Sequence, residues 1–407
     1  MATIRRVGVL AVLVGLVASC AGADRSAPPD PAEQAQTDAV VQVVRDTMAD
    51  AHLKSVIVSV SVDGRDVVTR AFGDSMTGVP ATTDMHFRNG AVAISYLSTL
   101  LLQLVDEQKV TLDDKVSTWL PEIPHADRVT LGQLAQMTSG YVDYVIGNEP
   151  FQAELYADPF RQWNPQDLIA FSTSQPLLYE PGTNWNYSHT NYVILGMALE
   201  KITGKPMTEL MRDKVLDPLG LTNTTDPGTP AITEPALHAF SSERREALKI
   251  PAGVSFYEES TFWNPSWTLA RGAIQTTDIH DLLASAVAIG SGTLLSPESY
   301  RKMTSRDLYG KTTALPGCTT CAPMSNAYTY GLGLVISGNW LLQNPLFAGE
   351  AAVQAYLPSK KAAIAVAVTY DQAAFDPAGN YTNQADTLFR KIGAVIAPDD
   401  APPMPTR

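Results

Sequence analysis

Residues His86–Val105 read HFRNGAVAISYLSTLLLQLV, a polar turn that leads into a long apolar segment. If this segment is helical, large apolar side chains cover almost all of its faces. A helix without a polar face is normally a buried one. The stretch therefore predicts a central helix that begins near Gly90 and around which the rest of the chain packs.

The sequence before this helix predicts another helix and a hairpin. Residues 38–52, DAVVQVVRDTMADAH, have a helical period of apolar residues. Residues 55–72 contain two β-rich runs, SVIVSVSV and VVTRAF, joined by Asp63-Gly64. An Asp-Gly pair between two such runs is typical of a two-residue hairpin turn.

The start of the central helix resembles the active-site segment F-R-I-G-S-V-T-K of the serine β-lactamase and penicillin-binding-protein family, which includes the class C enzymes and related esterases. Here the segment reads FRNGAVAI over residues 87–94. In the family, a lysine one helical turn after the serine takes the serine's proton. Ala91 replaces that serine and Ile94 replaces that lysine, so the resemblance implies that both chemical groups are lost.

The resemblance covers residues 38–397, and its landmarks occur in the family's order. Residues 129–144, VTLGQLAQMTSGYVDY, are similar to the family's I-T-x-x-x-L-L-x-H-T-S-G-L segment. Residues 179–206, YEPGTNWNYSHTNYVILGMALEKITGKP, match with high specificity. The later landmarks are DPLGLTNT, ARGAIQTTDIHDLL, LLSPESYRKM and YTYGLGL.

The family's second motif is Tyr-x-Asn, in which the tyrosine moves protons and the asparagine holds the substrate amide. Here the motif reads Tyr187-Ser188-His189. The resemblance implies residual roles for Tyr187 and His189. A histidine can act as a base, but adjacent residues point in different directions, which argues against a Ser188–His189 dyad.

The family's third motif, Lys-Thr-Gly or His-x-Gly on an edge strand, supplies a cation or donor for a substrate carboxylate. We align Phe347-Ala348-Gly349 with it, which leaves no charge at this place. Gly349 is interpreted either as a position where backbone approaches ligand or as an ordinary bulge glycine. The backbone donors of an oxyanion hole, at Ala91 and on the edge strand, would survive these replacements.

The resemblance implies an α/β (α+β) fold of the β-lactamase/transpeptidase type, a mainly antiparallel sheet flanked by helices with an inserted helical region. We predict that the body comprises residues 38–90 and 325–397 and that the helical region comprises residues 91–324. Because three motifs have each lost a functional side chain, we expect a catalytically impaired protein that binds or scaffolds in the cell envelope. A cell-wall peptide or a small acyl compound is the expected ligand, and no cofactor or metal is implied.

Residues 1–19 have the pattern of a signal peptide: two arginines followed by an apolar stretch too short to span a membrane. Val17-Ala18-Ser19-Cys20 resembles a bacterial lipobox, so Cys20 is predicted to be lipidated, for instance with palmitate. The alternative is an ordinary signal peptide with a chance cysteine. We expect the protein at the extracytoplasmic face of the cell membrane, with residues 20–37 as a flexible spacer and residues 398–407 as a disordered tail.

Composition limits the partners and the chemistry of the cysteines. The formal net charge is −13, and loss of Arg5 and Arg6 with the signal peptide would make it more negative. Such a surface repels nucleic acid and anionic headgroups, so the lipid anchor is the only membrane contact expected. Cys318 and Cys321 are predicted to form a local disulfide, with a zinc or redox site as the alternative.

Two other functions remain open on the sequence. One is an active serine hydrolase with a displaced nucleophile, for which Ser95, Ser139 and Ser188 are the candidates. The literal S-x-x-K at Ser299–Lys302 is interpreted instead as part of a capped surface helix. The other function is that of a structural lipoprotein that contacts an envelope partner and uses no cleft.

Overall fold

A single antiparallel sheet forms the centre of the computed structural model, which describes residues 30–404. The strands of the protein are β1 Leu53–Val62, β2 Arg65–Met76, β3 Val79–Pro80, β4 Phe87–Arg88, β5 Phe240–Ser241, β6 Glu258–Glu259, β7 Thr276–Thr277, β8 Thr329–Tyr330, β9 Val335–Ser337, β10 Trp340–Gln343, β11 Leu346–Phe347, β12 Glu350–Leu357 and β13 Ala362–Tyr370. The strand order in the central sheet is β3-β2-β1-β13-β12-β10-β9-β8, with β11 also paired to β12. Two small pairs, β4–β7 and β5–β6, lie outside this sheet.

Helices flank this sheet and fill the long connection between β4 and β8. They are α1 Pro31–Asp50, α2 Val92–Asp106, α3 Leu131–Ala135, α4 Glu149–Ala157, α5 Pro165–Thr173, α6 His189–Thr203, α7 Met207–Met211, α8 Asp217–Leu219, α9 Ile279–Ser291, α10 Pro297–Met303 and α11 Gln384–Ile396. The predicted fold class, a mainly antiparallel sheet flanked by helices, is confirmed.

The predicted hairpin is present as β1 and β2. Its turn residues Asp63 and Gly64 have φ angles of 49° and 78°, which is the left-handed geometry of a type I′ turn. Strand β1 also pairs with β13 from Leu53↔Tyr370 to Val62↔Ala362. The first and last strands of the sheet body are therefore neighbours.

Helix α2 is the predicted central helix. It is buried along nearly its whole length, and Val92, Ile94, Leu97 and Leu101 have no exposed surface. It packs against α6, α7, α9 and α10. Burial of this kind stabilises a helix more than its intrinsic propensity does.

Helix α9 lies within the predicted helical region, residues 91–324, but it packs on the sheet. It contacts β1, β12 and β13, and Ser285 donates to Gln354 on β12 at 2.7 Å. Helices α1 and α11 pack against each other and against the sheet. The boundary of the helical region therefore differs from the prediction, because α9 belongs to the sheet body.

Helix α1 begins at Pro31, inside the segment predicted as a spacer up to residue 37. The Asp30 side chain accepts the N–H of Ala32, and Pro31 occupies the first helical position, which is a favourable helix start. The spacer therefore ends at residue 30 and not at residue 37 as predicted. The prediction rested on the Pro-rich composition and did not use the capping pattern of Asp30 and Pro31.

The chain after residue 397 also differs from the predicted disordered tail. Pro398–Asp400 forms a 3-10 turn, and the Asp400 carbonyl accepts Trp340 Nε1–H at 2.8 Å. Pro402 packs against Gly393 of α11 and is buried. Residues 398–404 therefore cover the end of the sheet and α11.

The predicted signal peptide, residues 1–19, and the predicted lipidation site Cys20 lie outside the described residues. Among residues 30–404, none of the helices has both the length and the apolar character that crossing a membrane requires.

Candidate functional site

A cavity of about 290 Å³ opens where the first turn of α2 meets the start of α6 and strands β10 and β11. Ala91, Tyr187, His189 and Phe347, all singled out in the sequence, line it together. The remaining lining residues are Gly90, Val145, Ile146, Trp267, Thr268, Leu269, Val335, Gln343, Asn344, Pro345 and Leu346. The fold thus brings three distant predicted motifs to one pocket.

The turn before α2 is shaped by close contact with the edge strand. Gly90 has a φ angle of 50°, and a Cβ atom added there would lie 2.6 Å from Pro345 Cβ and 2.9 Å from the Phe347 ring. Glycine is required because both the backbone angle and the space exclude a side chain. Ala91 follows as the N-cap of α2, facing the pocket with a methyl group only.

His189 is held by Asp143, a residue that the sequence analysis missed. His189 Nδ1 lies 3.0 Å from Asp143 Oδ1 and 3.2 Å from Oδ2, and the His189 backbone N–H donates to Oδ1 at 2.9 Å. The Asp143 side chain is 1% exposed and also accepts the N–H of Ile146 at 2.9 Å. A carboxylate only accepts hydrogen bonds, so neutral His189 carries its proton on Nδ1 and its lone pair on Nε2.

Tyr187 lies beside His189, with ring centroids 5.2 Å apart and ring planes at 84°. Burial raises the pKa of Tyr187 above that of a free tyrosine, and the nearby Tyr328 and Asp143 add to the shift. The hydroxyl therefore stays protonated at neutral pH. It can donate a hydrogen bond to a ligand but cannot serve as a base.

Aromatic rings form the opposite wall of the pocket. Trp267 lies 6.2 Å from His189 and 6.2 Å from Phe347, measured between ring centroids. Phe347 therefore fills part of a continuous aromatic wall rather than a charged subsite. No sequence motif singled out Trp267, which lies just before the ARGAIQTTDIHDLL segment.

Within residues 30–404, the lining of this pocket contains no lysine, arginine, aspartate or glutamate. Gln343, at the end of β10, lines the pocket, but its Nε2 donates to the Gly333 carbonyl at 2.7 Å. Gln343, Asn344 and Pro345, which come just before the predicted motif at residues 347–349 in the chain, thus also line the pocket. The edge strand supplies no cation to a ligand.

Two predicted motif positions do not line the pocket. Ile94 lies in the core with no exposed surface. Gly349 lies in the turn between β11 and β12, where its N–H donates to Tyr381 Oη at 2.8 Å. The interpretation of Gly349 as a point of ligand approach is corrected, since the backbone that comes close to it belongs to Phe240.

Gly349→Ala is expected to lower the free energy of unfolding by about 2 kcal/mol, as measured by urea denaturation. Gly349 has a φ of 77°, and an added Cβ atom would lie 2.0 Å from the Phe240 carbonyl oxygen. Gly78→Ala is the matched control, because Gly78 has a φ of 76° with open space around it. Equal losses in the two variants would contradict the role assigned to the Phe240 contact.

The three candidate displaced nucleophiles are all buried and lie outside the pocket lining. Ser95 Oγ donates to the Val92 carbonyl at 2.7 Å, and Ser188 Oγ donates to the Val142 carbonyl at 3.2 Å. Ser139 Oγ donates to Asn191 Oδ1. Each hydroxyl therefore has a structural partner.

Ser299 and Lys302 belong to α10, which is capped by Ser296. Ser299 Oγ donates to Asp106 at 2.6 Å, while Lys302 Nζ lies 3.0 Å from Glu298. The serine and the lysine thus have separate partners, in agreement with the predicted capped helix.

Cys318 and Cys321 form a disulfide with a Cα–Cα separation of 5.4 Å. The loop that it closes supports the segment before His189. The Thr320 carbonyl accepts the N–H of Tyr187 at 3.3 Å, and Cys321 forms a β-bridge with Asn186. The disulfide therefore supports the backbone that carries Tyr187.

This architecture is shared with solved structures of an amidohydrolase and an amidase. A D-stereospecific amidohydrolase from Streptomyces sp. superposes with a TM-score of 0.67 at 26% identity, covering 85% of this chain and 97% of that chain. D-amino acid amidase from Ochrobactrum anthropi SV3, complexed with L-phenylalanine amide, superposes with a TM-score of 0.72 at 22% identity, covering 90% and 99%.

Comparison of the sequence with protein-family models identifies the family of this chain. Residues 40–389 match the family model described as Beta-lactamase, and the chain belongs to that family. Penicillin-binding protein 4 of Amycolatopsis lactamdurans is 33% identical over 184 residues, which are 42% of this chain and 44% of the relative. Esterase EstB of Burkholderia gladioli is 26% identical over 285 residues, 65% of this chain and 72% of the relative. The chain thus spans less than half the length of the Amycolatopsis relative.

Proposed function

We propose that this protein is a ligand-binding or scaffolding member of the Beta-lactamase family that has lost the acyl-transfer reaction. The observation that supports this most strongly is Ala91, which lines the pocket from the first turn of α2 where the family motif has its serine. Within the described part of the chain, the pocket lining includes no serine, cysteine or lysine.

The expected loss of rate is large. In comparable catalytic constellations, removal of the nucleophile or its base lowers turnover by roughly 10⁶-fold, and binding contributions remain. Tyr187 and His189 persist in the pocket, but neither can form the family's acyl-serine. The scaffold can therefore hold a substrate-like molecule that it does not cleave.

A small acyl compound or a cell-wall peptide is the proposed ligand. Of the similar proteins named above, one is named for binding penicillin, and the names of the other two, an esterase and an amidohydrolase, refer to acyl compounds. The pocket is also close to an open groove of about 890 Å³, which shares Ile146 with it and is lined by Asp143 and the Cys318–Thr320 loop. A peptide could extend from the pocket into this groove.

Intact-mass measurement after incubation with a penicillin and with an activated ester tests the proposal. We expect no covalent adduct, together with measurable non-covalent binding of an acyl ligand by calorimetry. A stable adduct on any residue would refute the loss of acyl transfer. Ala91→Trp should fill the pocket and abolish the binding signal, whereas Val287→Trp on the exposed surface of α9 should not.

The envelope location is proposed from Val17-Ala18-Ser19-Cys20. We expect the protein in the membrane fraction, and we expect Cys20→Ser to release it into the soluble extracytoplasmic fraction.

If the protein is only a scaffold for another envelope protein, Ala91→Trp will leave the cellular phenotype unchanged. Loss of the phenotype in that variant would support use of the pocket.

A further inference from the structure

We infer that the pocket selects ligands that present an N–H donor, above all a primary amine, on a small aromatic or apolar body, over ligands that end in a carboxylate. This inference rests on the proposed binding function and names its ligand class. It is supported by the Asp143–His189 pair, by the aromatic lining and by the absence of cations among the described lining residues.

The contact with Asp143 determines which ring nitrogen of neutral His189 carries the proton, and so whether the other nitrogen can accept a hydrogen bond from a ligand. Asp143 accepts the backbone N–H groups of His189 and Ile146, and its carboxylate lies 3.0 Å from His189 Nδ1. These contacts hold the proton of neutral His189 on Nδ1. His189 lines the pocket and its side chain is 14% exposed, so the lone pair of Nε2 is the group left for a ligand.

An acceptor alone at this position removes the donor that the family motif offers. The asparagine side chain of that motif offers both an N–H donor and a carbonyl acceptor. A neutral imidazole held by Asp143 offers an acceptor alone at Nε2. A ligand carbonyl or carboxylate placed against Nε2 would leave two acceptors facing each other, whereas a ligand N–H would make a hydrogen bond.

The charge distribution of the pocket favours an amine as well. Asp143 places a carboxylate directly behind the imidazole, and residues 30–404 contribute no lysine or arginine to the lining. Tyr187, Trp267 and Phe347 line the same cavity, and aromatic faces attract ammonium groups. A carboxylate would be repelled by the Asp143 charge and by the aromatic faces. The Tyr187 hydroxyl can donate to it, but no cation among the described lining residues offsets the repulsion.

The size of the cavity limits the ligand body. A volume of about 290 Å³ corresponds to about ten water molecules at their share of liquid volume. Phenethylamine, 2-phenylethanol and phenylacetate are small enough to fit within this volume and differ mainly in the polar end. They form a matched series in which the amine, hydroxyl and carboxylate can be compared on one aromatic body.

The test is calorimetric titration of the protein with these three compounds at about pH 8, where a histidine side chain is normally neutral and phenethylamine is still an ammonium ion. We expect phenethylamine to bind at least about tenfold more tightly than phenylacetate, with 2-phenylethanol between them, since one hydrogen bond accounts for about a tenfold change. His189→Phe keeps an aromatic ring but removes the acceptor. This variant should reduce the affinity for phenethylamine about tenfold.

Asp143→Asn provides a readout that a purely structural role would not change. An asparagine amide nitrogen in the place of Oδ2 gives up the Ile146 N–H contact and directs an N–H at Nδ1. The imidazole proton then lies on Nε2, which converts the pocket-facing acceptor into a donor. The preference should then move from phenethylamine toward 2-phenylethanol and phenylacetate. Circular dichroism melting confirms that each variant is folded, and His189→Phe supplies an independent test if Asp143→Asn is not.

The outcomes separate this inference from the proposed function. Tighter binding of phenylacetate, or an unchanged amine preference in His189→Phe, would overturn the inference while leaving a binding protein. If none of the three compounds binds and no acyl ligand binds, the proposed binding function fails and the inference fails with it.

Discussion

Ile94→Lys is expected to lower the free energy of unfolding by about 3–5 kcal/mol, although lysine is the residue of the family motif at this position. Ile94 has no exposed surface and packs in the core around α2. A lysine there places an ammonium group among apolar side chains, which is costly without a partner. Urea denaturation monitored by tryptophan fluorescence measures the loss.

Ile94→Met is the matched control, since a flexible apolar side chain of similar volume should cost less than about 1.5 kcal/mol. We expect the double variant Ala91→Ser/Ile94→Lys to form at most a trace of acyl adduct, because the edge strand also lacks a cation. If the double variant is as stable as the parent and acylates readily, then the core has not closed over the lysine position as the structure indicates.

Stability is expected to fall as the pH rises from 4.5 to 7, through two buried carboxyl groups, Glu350 and Glu243. Burial raises the pKa of Glu350 from 4.5 to about 7, although the charge of Arg88 opposes the shift. The folded state therefore binds this proton more tightly than the unfolded state. The stabilisation is complete below pH 4.5, declines above it and is lost once the pH passes about 7.

The loss from this one carboxyl group is on the order of 3 kcal/mol. Urea midpoints measured across this pH range should decrease with pH in the parent, and Glu350→Gln should show a weaker dependence because it cannot ionise. Burial also raises the pKa of Glu243 to about 7, so part of the slope should remain in that variant. An identical slope in parent and Glu350→Gln would contradict the assignment.

The fold could be predicted wherever local sequence dictates local structure. The apolar run after Gly90 determines a buried helix, and Asp63-Gly64 determines a hairpin turn, because each depends on neighbouring residues alone. The convergence of Ala91, Tyr187, His189 and Phe347 in one pocket followed from the family resemblance. Periodicity could not have shown it, since these residues lie on separate elements.

The errors concern contacts between distant segments. Asp143 gives no periodic or motif signal, and its role arises only because the loop after α3 packs against the start of α6. Gly349 resembled a ligand-contact glycine in the motif, but the nearby chain is Phe240, more than a hundred residues earlier. Helix α9 has an ordinary amphipathic sequence, which cannot specify that it covers the sheet.

The loop closed by Cys318 and Cys321 has a practical consequence for work with this protein. Because that loop contacts the backbone of Asn186 and Tyr187, preparations made in a reducing cytosol, or assays containing dithiothreitol, would loosen one side of the cavity without touching any lining side chain. Weak ligand binding in such a sample would then result from the reduced disulfide and not from the pocket itself. Secretion into an oxidising compartment, with free thiols counted before titration, avoids this confusion.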